Sequence, residues 1–352
     1  MFSDLRILDL STVLAGPSVG TFFAELGAQV IKIEHPENPD VTRSWKLPEE
    51  DSKSEISAYF SSVNYKKEYL KLNLKIEDDR NKFLELVQSA DVLLSNFKKG
   101  DEAKFNITDS VLRTLNPSLI CGKINGFGSQ SDRVAYDLIL QAESGFMSMN
   151  GTPESGPVKM PVALIDVLAA HHLKEGLLVA LLHREKDGRG RTVSVSLYDA
   201  AICSLMNQAS NYLMTGKVAQ RIGSLHPNIA PYGELFQTKD GATITLAIGS
   251  DVHFSKLCKH LDLNALPQDP RFHTNTNRVQ HRKLLAELLQ QKIIGWDTSK
   301  LLAALQADFV PAGKVKALDE VFADQKAADQ VRMETISGKE TKRVTSIAFK
   351  WE

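Results

Sequence analysis

The chain has 352 residues, 43% of them hydrophobic and 24% charged, with 42 Lys and Arg against 43 Asp and Glu. Those fractions belong to an ordinary soluble globular protein with enough chain for two domains, and a formal net charge of -1 gives no electrostatic reason to expect nucleic acid or an anionic membrane as partner. Cys121, Cys203 and Cys258 form no CxxC, and the opening MFSDLRILDL lacks the basic head and apolar core of a signal peptide, so a reducing, cytoplasmic setting is expected.

In chain order, residues 5–10 are rich in branched apolar side chains and predict a first strand. The loop 11–17 (STVLAGP) opens a helix through Phe22-Phe23-Ala24-Glu25-Leu26 that Gly27 ends, and 28–34 (AQVIKIE) is the second strand. Strand, glycine-bearing turn, helix and strand make a βαβ unit and imply a parallel sheet. Glu34 closes the second strand, yet Gly16 and Gly20 flank Pro17 without a G-x-G-x-x-G, which argues against a nicotinamide cofactor. Gly16 and Pro17 are expected instead to let the backbone approach another nucleotide-bearing ligand.

A polar loop at 35–54, a short alternating strand at 70–74, an amphipathic helix at 78–89 and a strand at 90–97 follow. Next come a short helix at 109–115, a strand at 119–125 broken by Gly126-Phe127-Gly128, and a helix at 134–150. The alternation predicts an open α/β domain. A long helix, a strand at 192–197 and a helix at 198–214 complete it. From Thr215 the composition turns to prolines and glycines, placing a domain boundary there. A hairpin at 236–248 around Asp240-Gly241, helices near 252–261, 276–293 and 299–305, a turn at 310–315, a helix at 317–324 and an extended strand at 344–351 are predicted beyond it. The expected division is a large domain at 1–214, a linker and small α+β domain at 215–312, and a return segment at 313–352.

The stretch 157–199 organises the chain. Apolar residues fill most of 162–182, long enough for a buried helix, and Asp166, His171, His172, Lys174 and Glu175 interrupt it too often for a membrane span. Asp166 stands near the start of that run, between Ile165 and Val167. A carboxylate there must be paired, capped by backbone N–H groups, or used in chemistry. Helix N-termini favour anions, so Asp166 is expected to hold its charge. A capping aspartate and a carboxylate nucleophile both remain open at this point. His171 and His172 are adjacent, hence on different helix faces, and with no metal-spaced His/Cys cluster they read as surface and core rather than ligands.

The segments LAGPSVGTFFAELGAQVIKIEHPENPDVTRSW, NYKKEYLKLNLK, DVLLSNFKKG, YDLILQAESG, the ALID helix with LLHREKDGRGRTVSVSLYDA, and PNIAPYGELFQTKDG stand in one order with compatible spacing from near Leu5 to about Pro311. In that combination the chain resembles the class III CoA-transferases, the group of formyl-CoA and carnitine CoA-transferases and of α-methylacyl-CoA racemase. The resemblance implies a Rossmann-like large domain with a parallel sheet, a smaller α+β domain, and a homodimer of interlocked protomers. It puts the nucleophilic carboxylate on Asp166. It puts CoA contacts on Leu14, Ala15, His35, Leu72, Asn73, Leu74, Lys75, Asn96, Phe97, Lys98, Lys104, Val134, Ala135, Tyr136 and Asp137, with Lys123 near the pantetheine or phosphate arm. It implies no tightly bound cofactor and no metal, only acyl-CoA and a small carboxylic acid as substrates.

Residue chemistry fits that assignment. Lys75, Lys98, Lys99 and Lys104 are flexible point charges suited to phosphates, and Leu72, Leu74 and Phe97 offer apolar surface to an adenine. Some positions depart from the family pattern: Leu14 replaces a glutamine of formyl-CoA transferase, His35 and Lys104 replace arginines, and SLHPNIAPYG stands in place of a glycine-rich flap. The racemases pair their aspartate with a histidine that falls on Tyr136, and a phenol is a poor proton acceptor near neutrality. CoA transfer is therefore the favoured activity, with racemisation and a catalytically silent CoA-binding homologue as alternatives.

Overall fold

A computed structural model describes residues 2–350. Its first elements are β1 (Arg6–Asp9), α1 (Ala15–Glu25), β2 (Gln29–Glu34), α2 (Ala58–Ser62), β3 (Lys67–Lys71), α3 (Glu77–Gln88), β4 (Val92–Ser95), α4 (Asp101–Lys104) and α5 (Asp109–Leu115). They continue as β5 (Ile120–Asn125), α6 (Asp137–Glu143), α7 (Phe146–Met149), α8 (Leu164–Asp187), β6 (Thr192–Ser196), α9 (Leu197–Cys203) and α10 (Met206–Thr215). After these come β7 (Tyr232–Gln237), β8 (Thr243–Ala247), α11 (Asp251–His260), α12 (Asn275–Gln280), α13 (Arg282–Ile293) and α14 (Thr298–Ala307). The last are β9 (Ala312–Lys314), α15 (Leu318–Phe322), α16 (Gln325–Ala328), β10 (Val331–Ile336) and β11 (Lys339–Val344).

The chain divides into two compact units, one from 1–148, 159–219 and 328–352, the other from 149–158 and 220–327. In the larger unit six parallel strands run in the order β3-β2-β1-β4-β5-β6. Both faces are covered at the centre, so β1 and β4 are buried at successive positions, whereas the edge strand β6 alternates. Ile7, Val92, Leu94 and Ile120 pack with Val19 and Phe23 of α1 and with Ile165, Leu173 and Leu177 of α8. Leu8, Leu93 and Cys121 face the other way, onto Phe83 and Val87 of α3 and Leu112 of α5. α8 ends at Gly188 in the left-handed region (φ +68°), with Arg184 and Lys186 in its last turn. Among the described residues no helix is long and apolar enough to cross a membrane.

The smaller unit builds the antiparallel sheet β7-β8-β9, with Phe236, Ile244 and Leu246 packed on Phe254, Leu257, Leu289 and Leu301 of its helices. Its Arg278 is fully buried, and it donates to the carbonyls of Ala230 and Phe272 and pairs with Asp251 at 2.7 Å.

Several element boundaries differ from the sequence reading. The strand expected at 70–74 is β3, three residues earlier. Its ladder with β2 starts at Val30↔Lys67, so Leu72 and Leu74 lie beyond it in the core. The helix expected at 134–150 begins only at Asp137 and breaks at Gly145, whose φ is +92°. The helix at 198–214 divides after Cys203, where the Ser204 hydroxyl turns back onto the Ala200 carbonyl. That at 276–293 divides at His281, whose ring binds the Asn277 carbonyl. The turn at 310–315 contains β9. Gly16 and Pro17 are buried in α1, Gly16 against Ser11, rather than open to a ligand. The carboxy-terminal strand is not at 344–351, of which Trp351 lies outside the described residues. Instead, β10 and β11 form a hairpin through Ser337-Gly338, both at positive φ.

One charged cluster lies inside the larger unit. Asp9 and Lys32 are ladder partners on β1 and β2, and Lys67 reaches the Asp9 carboxylate at 2.8 Å, all three fully or nearly fully buried. Lys67 Nζ also donates to the Pro17 carbonyl at 2.8 Å and to Asn64 Oδ1 at 2.9 Å, which completes its three donors. Lys32 donates to the Ser11 carbonyl at 2.7 Å and pairs with Asp40 at 3.1 Å. Burial pushes the Asp9 carboxyl up, but Lys67 and Lys32 outweigh it and hold it below the usual carboxylate range. Gly20 makes room for the pair: a Cβ there would lie 3.0 Å from Asp9 Oδ2 and 3.2 Å from Lys67 Nζ. Removing one partner of a buried pair strands the other charge. Lys67→Met is therefore expected to destabilise the protein by about 3–5 kcal/mol, read as a lower urea midpoint.

Candidate active site

In an open parallel sheet, ligands bind beyond the carboxyl ends of the strands where the strand order reverses, here between β1 and β4. The buried cluster shapes that edge. Asp40 accepts the Val13 N–H at 3.2 Å and so fixes Val13 in the left-handed region at φ +74°, a conformation that costs a β-branched residue on the order of 1–3 kcal/mol. Asn96, just after β4, binds the neighbouring Thr12 at both backbone groups, at 3.1 and 2.9 Å. Next to this clamped loop opens a cavity of about 550 Å³, lined by Val13, residues 95–102, Lys104, residues 123–126, and residues 131–136.

Of the positions that the resemblance assigns to CoA, the cavity gathers Asn96, Phe97, Lys98, Lys104, Lys123, Val134, Ala135 and Tyr136. Phe97 is half-buried, edge-on to Phe105 at 5.5 Å, and presents apolar surface. Lys98 and Lys104 are exposed, Lys104 with Asp101 at 2.9 Å. Lys123 is already matched by Glu102 and Asp109, each at 2.7 Å; burial pulls its pKa down, but these two carboxylates outweigh it and raise it. It lines the cavity with its charge already matched by carboxylates.

The remaining positions lie outside the cavity lining. Leu72 and Leu74 are core side chains and offer no apolar surface to an adenine. Asn73 accepts the Lys75 N–H in the turn before α3, and Lys75 is exposed. His35 Nδ1 accepts the N–H groups of Glu37 and Asn38, shaping the turn after β2. Leu14 is the N-cap of α1, and Ala15 is buried behind it. The residues that sequence reasoning missed are Arg133 and Tyr59. Arg133 also lines the cavity, stacks on Phe127 at 3.9 Å and pairs with Glu143 at 2.6 Å.

Asp166 stands in the first turn of α8 with 8% of its surface exposed. Among the described residues its carboxylate has no hydrogen-bond or ion-pair partner. The capping role that a lone aspartate would ordinarily take is filled by Asp137, whose Oδ1 accepts the Ile165 N–H at 2.7 Å. Burial, and then the charge of Asp137, push the Asp166 carboxyl up to about 7. The helix N-terminus, which favours the charged form of Asp166, is thus opposed by desolvation and by Asp137, which already accepts an N–H at the helix end. Tyr59 of α2 is close enough that Asp166, Asp137 and Asp40 add to the effect of burial and raise its phenol to about 12.

A family model, CoA-transferase family III, matches residues 2–352. The chain belongs to CoA-transferase family III. This family III enzyme is 38% identical over 328 residues to the succinate–glutarate CoA-transferase of Agrobacterium fabrum, across 92% of this chain and 82% of that one. It is 33% identical over 337 residues to the succinyl-CoA:mesaconate CoA-transferase of Haloarcula marismortui, across 93% and 83%. A CAIB/BAIF family protein from Brucella suis aligns with a TM-score of 0.85 and 36% identity, covering 98% of this chain and 91% of that chain.

CoA esters are the substrates of a family III CoA-transferase, and the cavity wall at 133–136 depends on Gly126. A Cβ at 126 would fall 2.2 Å from the Ala135 Cβ, so Gly126→Ala must displace that wall. Overpacking of that kind is expected to destabilise the protein by about 1–3 kcal/mol, read as a urea midpoint below that of the wild type.

Proposed function

We propose that this CoA-transferase moves CoA from succinyl-CoA to a small dicarboxylic acid by way of covalent intermediates on Asp166. The observation that carries this reading is a buried carboxylate at a helix start that neither caps the helix nor pairs with any cation. The names of the relatives from Agrobacterium and Haloarcula, which pair succinate or succinyl-CoA with glutarate or mesaconate, support the choice of substrates.

In the first step an Asp166 oxygen attacks the thioester carbonyl of the donor, the C–S bond breaks, and CoA leaves as thiolate with a mixed aspartyl–acyl anhydride behind it. The thiolate then attacks the Asp166 carbonyl carbon, the anhydride C–O bond breaks, and the donor acid departs, leaving an aspartyl-CoA thioester. The acceptor carboxylate repeats the two steps in reverse and leaves as the new CoA ester, with Asp166 regenerated. The acyl activation is conserved throughout, so neither ATP nor a metal enters the balance. Racemisation needs a second base where Tyr136 stands. Tyr136 is the N-cap of α6 and 53% exposed, and its side chain is a phenol rather than the imidazole that two-base racemisation uses.

With succinyl-CoA present, hydroxylamine is expected to convert Asp166 to a hydroxamate and stop turnover, located by peptide mass spectrometry. Asp166→Asn is expected to bind CoA normally and lose transfer by about three orders of magnitude or more. Near-normal exchange in that variant, without deamidation, would remove Asp166 from the mechanism.

In the same reading the larger unit is the CoA-binding domain, and two protomers interlock as a homodimer. The larger unit supports association, since α8, α9 and α10 expose Val179, Leu182, Ile202, Met206, Leu213 and Met214. Sedimentation velocity at nanomolar concentration is expected to show a dimer only. A folded monomer in dilute solution would contradict interlocking.

A further inference from the structure

Both carboxylate oxygens of Asp137 are committed. Oδ1 accepts the Ile165 N–H, and Oδ2 accepts a proton of Gln141 Nε2, each at 2.7 Å. The orientation of the Gln141 amide is fixed from its other end, where Oε1 accepts the Met160 N–H at 2.8 Å. Gln141 is 0% exposed, so a flipped amide would set donor against donor at Met160 and acceptor against acceptor at Asp137, with no water to relieve either. The chain from Met160 through Gln141 and Asp137 to Ile165 therefore locks an anionic acceptor at the head of α8, one residue before Asp166.

We propose that Asp137, locked by Gln141, is a positioning residue whose fixed negative charge favours the acylated, uncharged forms of Asp166 over its free carboxylate. This rests on the reading of Asp166 as the nucleophile. When Asp166 attacks the thioester, the negative charge it carried departs with the CoA thiolate, and the anhydride and thioester at 166 are both neutral. Each covalent form thus relieves a repulsion that the free carboxylate suffers. A carboxylate made more basic by its surroundings is also the better nucleophile once ionised.

The groups facing Asp166 leave this repulsion uncompensated. Asp137 comes from α6, and the neutral Tyr59 phenol comes from α2. On the other elements packed against α8, Lys123 of β5 is held by Glu102 and Asp109, Glu25 of α1 is bound by Arg343 and Ser346, and the charged residue of α9, Asp199, is a further carboxylate. Lys174, two turns along α8, lies over the Phe22 ring at 5.3 Å.

The test compares neutral and charged replacements during CoA transfer from succinyl-CoA to glutarate. In the wild type the acid limb of kcat/KM is expected near pH 7, the value to which burial and Asp137 bring Asp166. In Asp137→Asn that limb should move to lower pH, because a carboxyl relieved of an anionic neighbour loses its proton more readily. The plateau should fall about tenfold, and the fraction of enzyme found as CoA adduct by intact mass spectrometry should drop with it. Asp137→Glu keeps the charge and should keep the limb near its wild-type position even where the plateau falls. Should Asp137→Asn fail to fold, Asp137→Ser supplies a neutral acceptor for the Ile165 N–H and is read in its place. An acid limb and adduct fraction unmoved in the neutral variants, or moved equally by Asp137→Glu, would overturn the assignment while leaving Asp166 as nucleophile. Absence of any Asp166 adduct in the wild type would instead overturn the nucleophile itself.

Discussion

The ion pair between Asp9 and Lys67, with Lys32 and Asp40 beside it, is the interaction on which the site edge of this molecule depends. Charges removed from water are tolerated only when each donor and acceptor finds a partner, and Lys67 finds three. The fold is arranged around that demand. Gly20 leaves the space, the Pro17 carbonyl at the first turn of α1 turns inward, and Asn64 approaches from the segment before β3. From Lys32 the network passes to Asp40, and from Asp40 to the strained Val13. The loop between β1 and α1 is thereby held on one side by a carboxylate and on the other by the Asn96 amide. A loop fixed in this manner needs no ordering when a ligand arrives, and that saves affinity.

The same unit treats its charges in two opposite ways. At the sheet edge and the cavity lining, cations and carboxylates are matched, as Lys123 is by Glu102 and Asp109. Around Asp166 no cation pairs with the carboxylate among the described residues, and the charge that acts on it is another carboxylate, Asp137. Matching gives rigidity, and the lack of it leaves free energy that a reaction can release. A helix start ordinarily stabilises the anion placed on it. Here that benefit goes to Asp137, and Asp166 is left with the desolvation and none of the hydrogen bonds.

Much of this was legible in the sequence, for identifiable reasons. The parallel sheet follows from the order of strand, glycine-bearing turn, helix and strand, and α8 from a run too long for a strand and too often interrupted for a membrane. Asp166 was visible because a carboxylate between Ile165 and Val167 is anomalous. Boundaries failed where a single tertiary contact outweighs local pattern: β3 starts at Lys67 because the Asp9 carboxylate fixes that lysine, and the LKLNL alternation is then spent in the core. The hairpin β10–β11 was missed because VRMETI and KETKRV carry few apolar residues to alternate. Lysines gave no clue in sequence to which were free: Lys98 is exposed, whereas Lys123 is neutralised by carboxylates 21 and 14 positions away in sequence, at 102 and 109.

The Gln141 amide shows why the reach of sequence ends where it does. A glutamine inside LILQAE is as anomalous as Asp166 in its own run, since an amide in an apolar turn must satisfy both ends. Sequence can register that demand but cannot name the partners, which lie at Met160 and Asp137. Only with those in place does the amide acquire a direction, and through it Asp137 an orientation. The position of Asp166 then follows from a hydrogen-bond chain that starts six residues before it, at Met160, and never touches the aspartate itself. Asp166 is placed by groups that satisfy one another, and so its own carboxylate is left without a partner among the described residues.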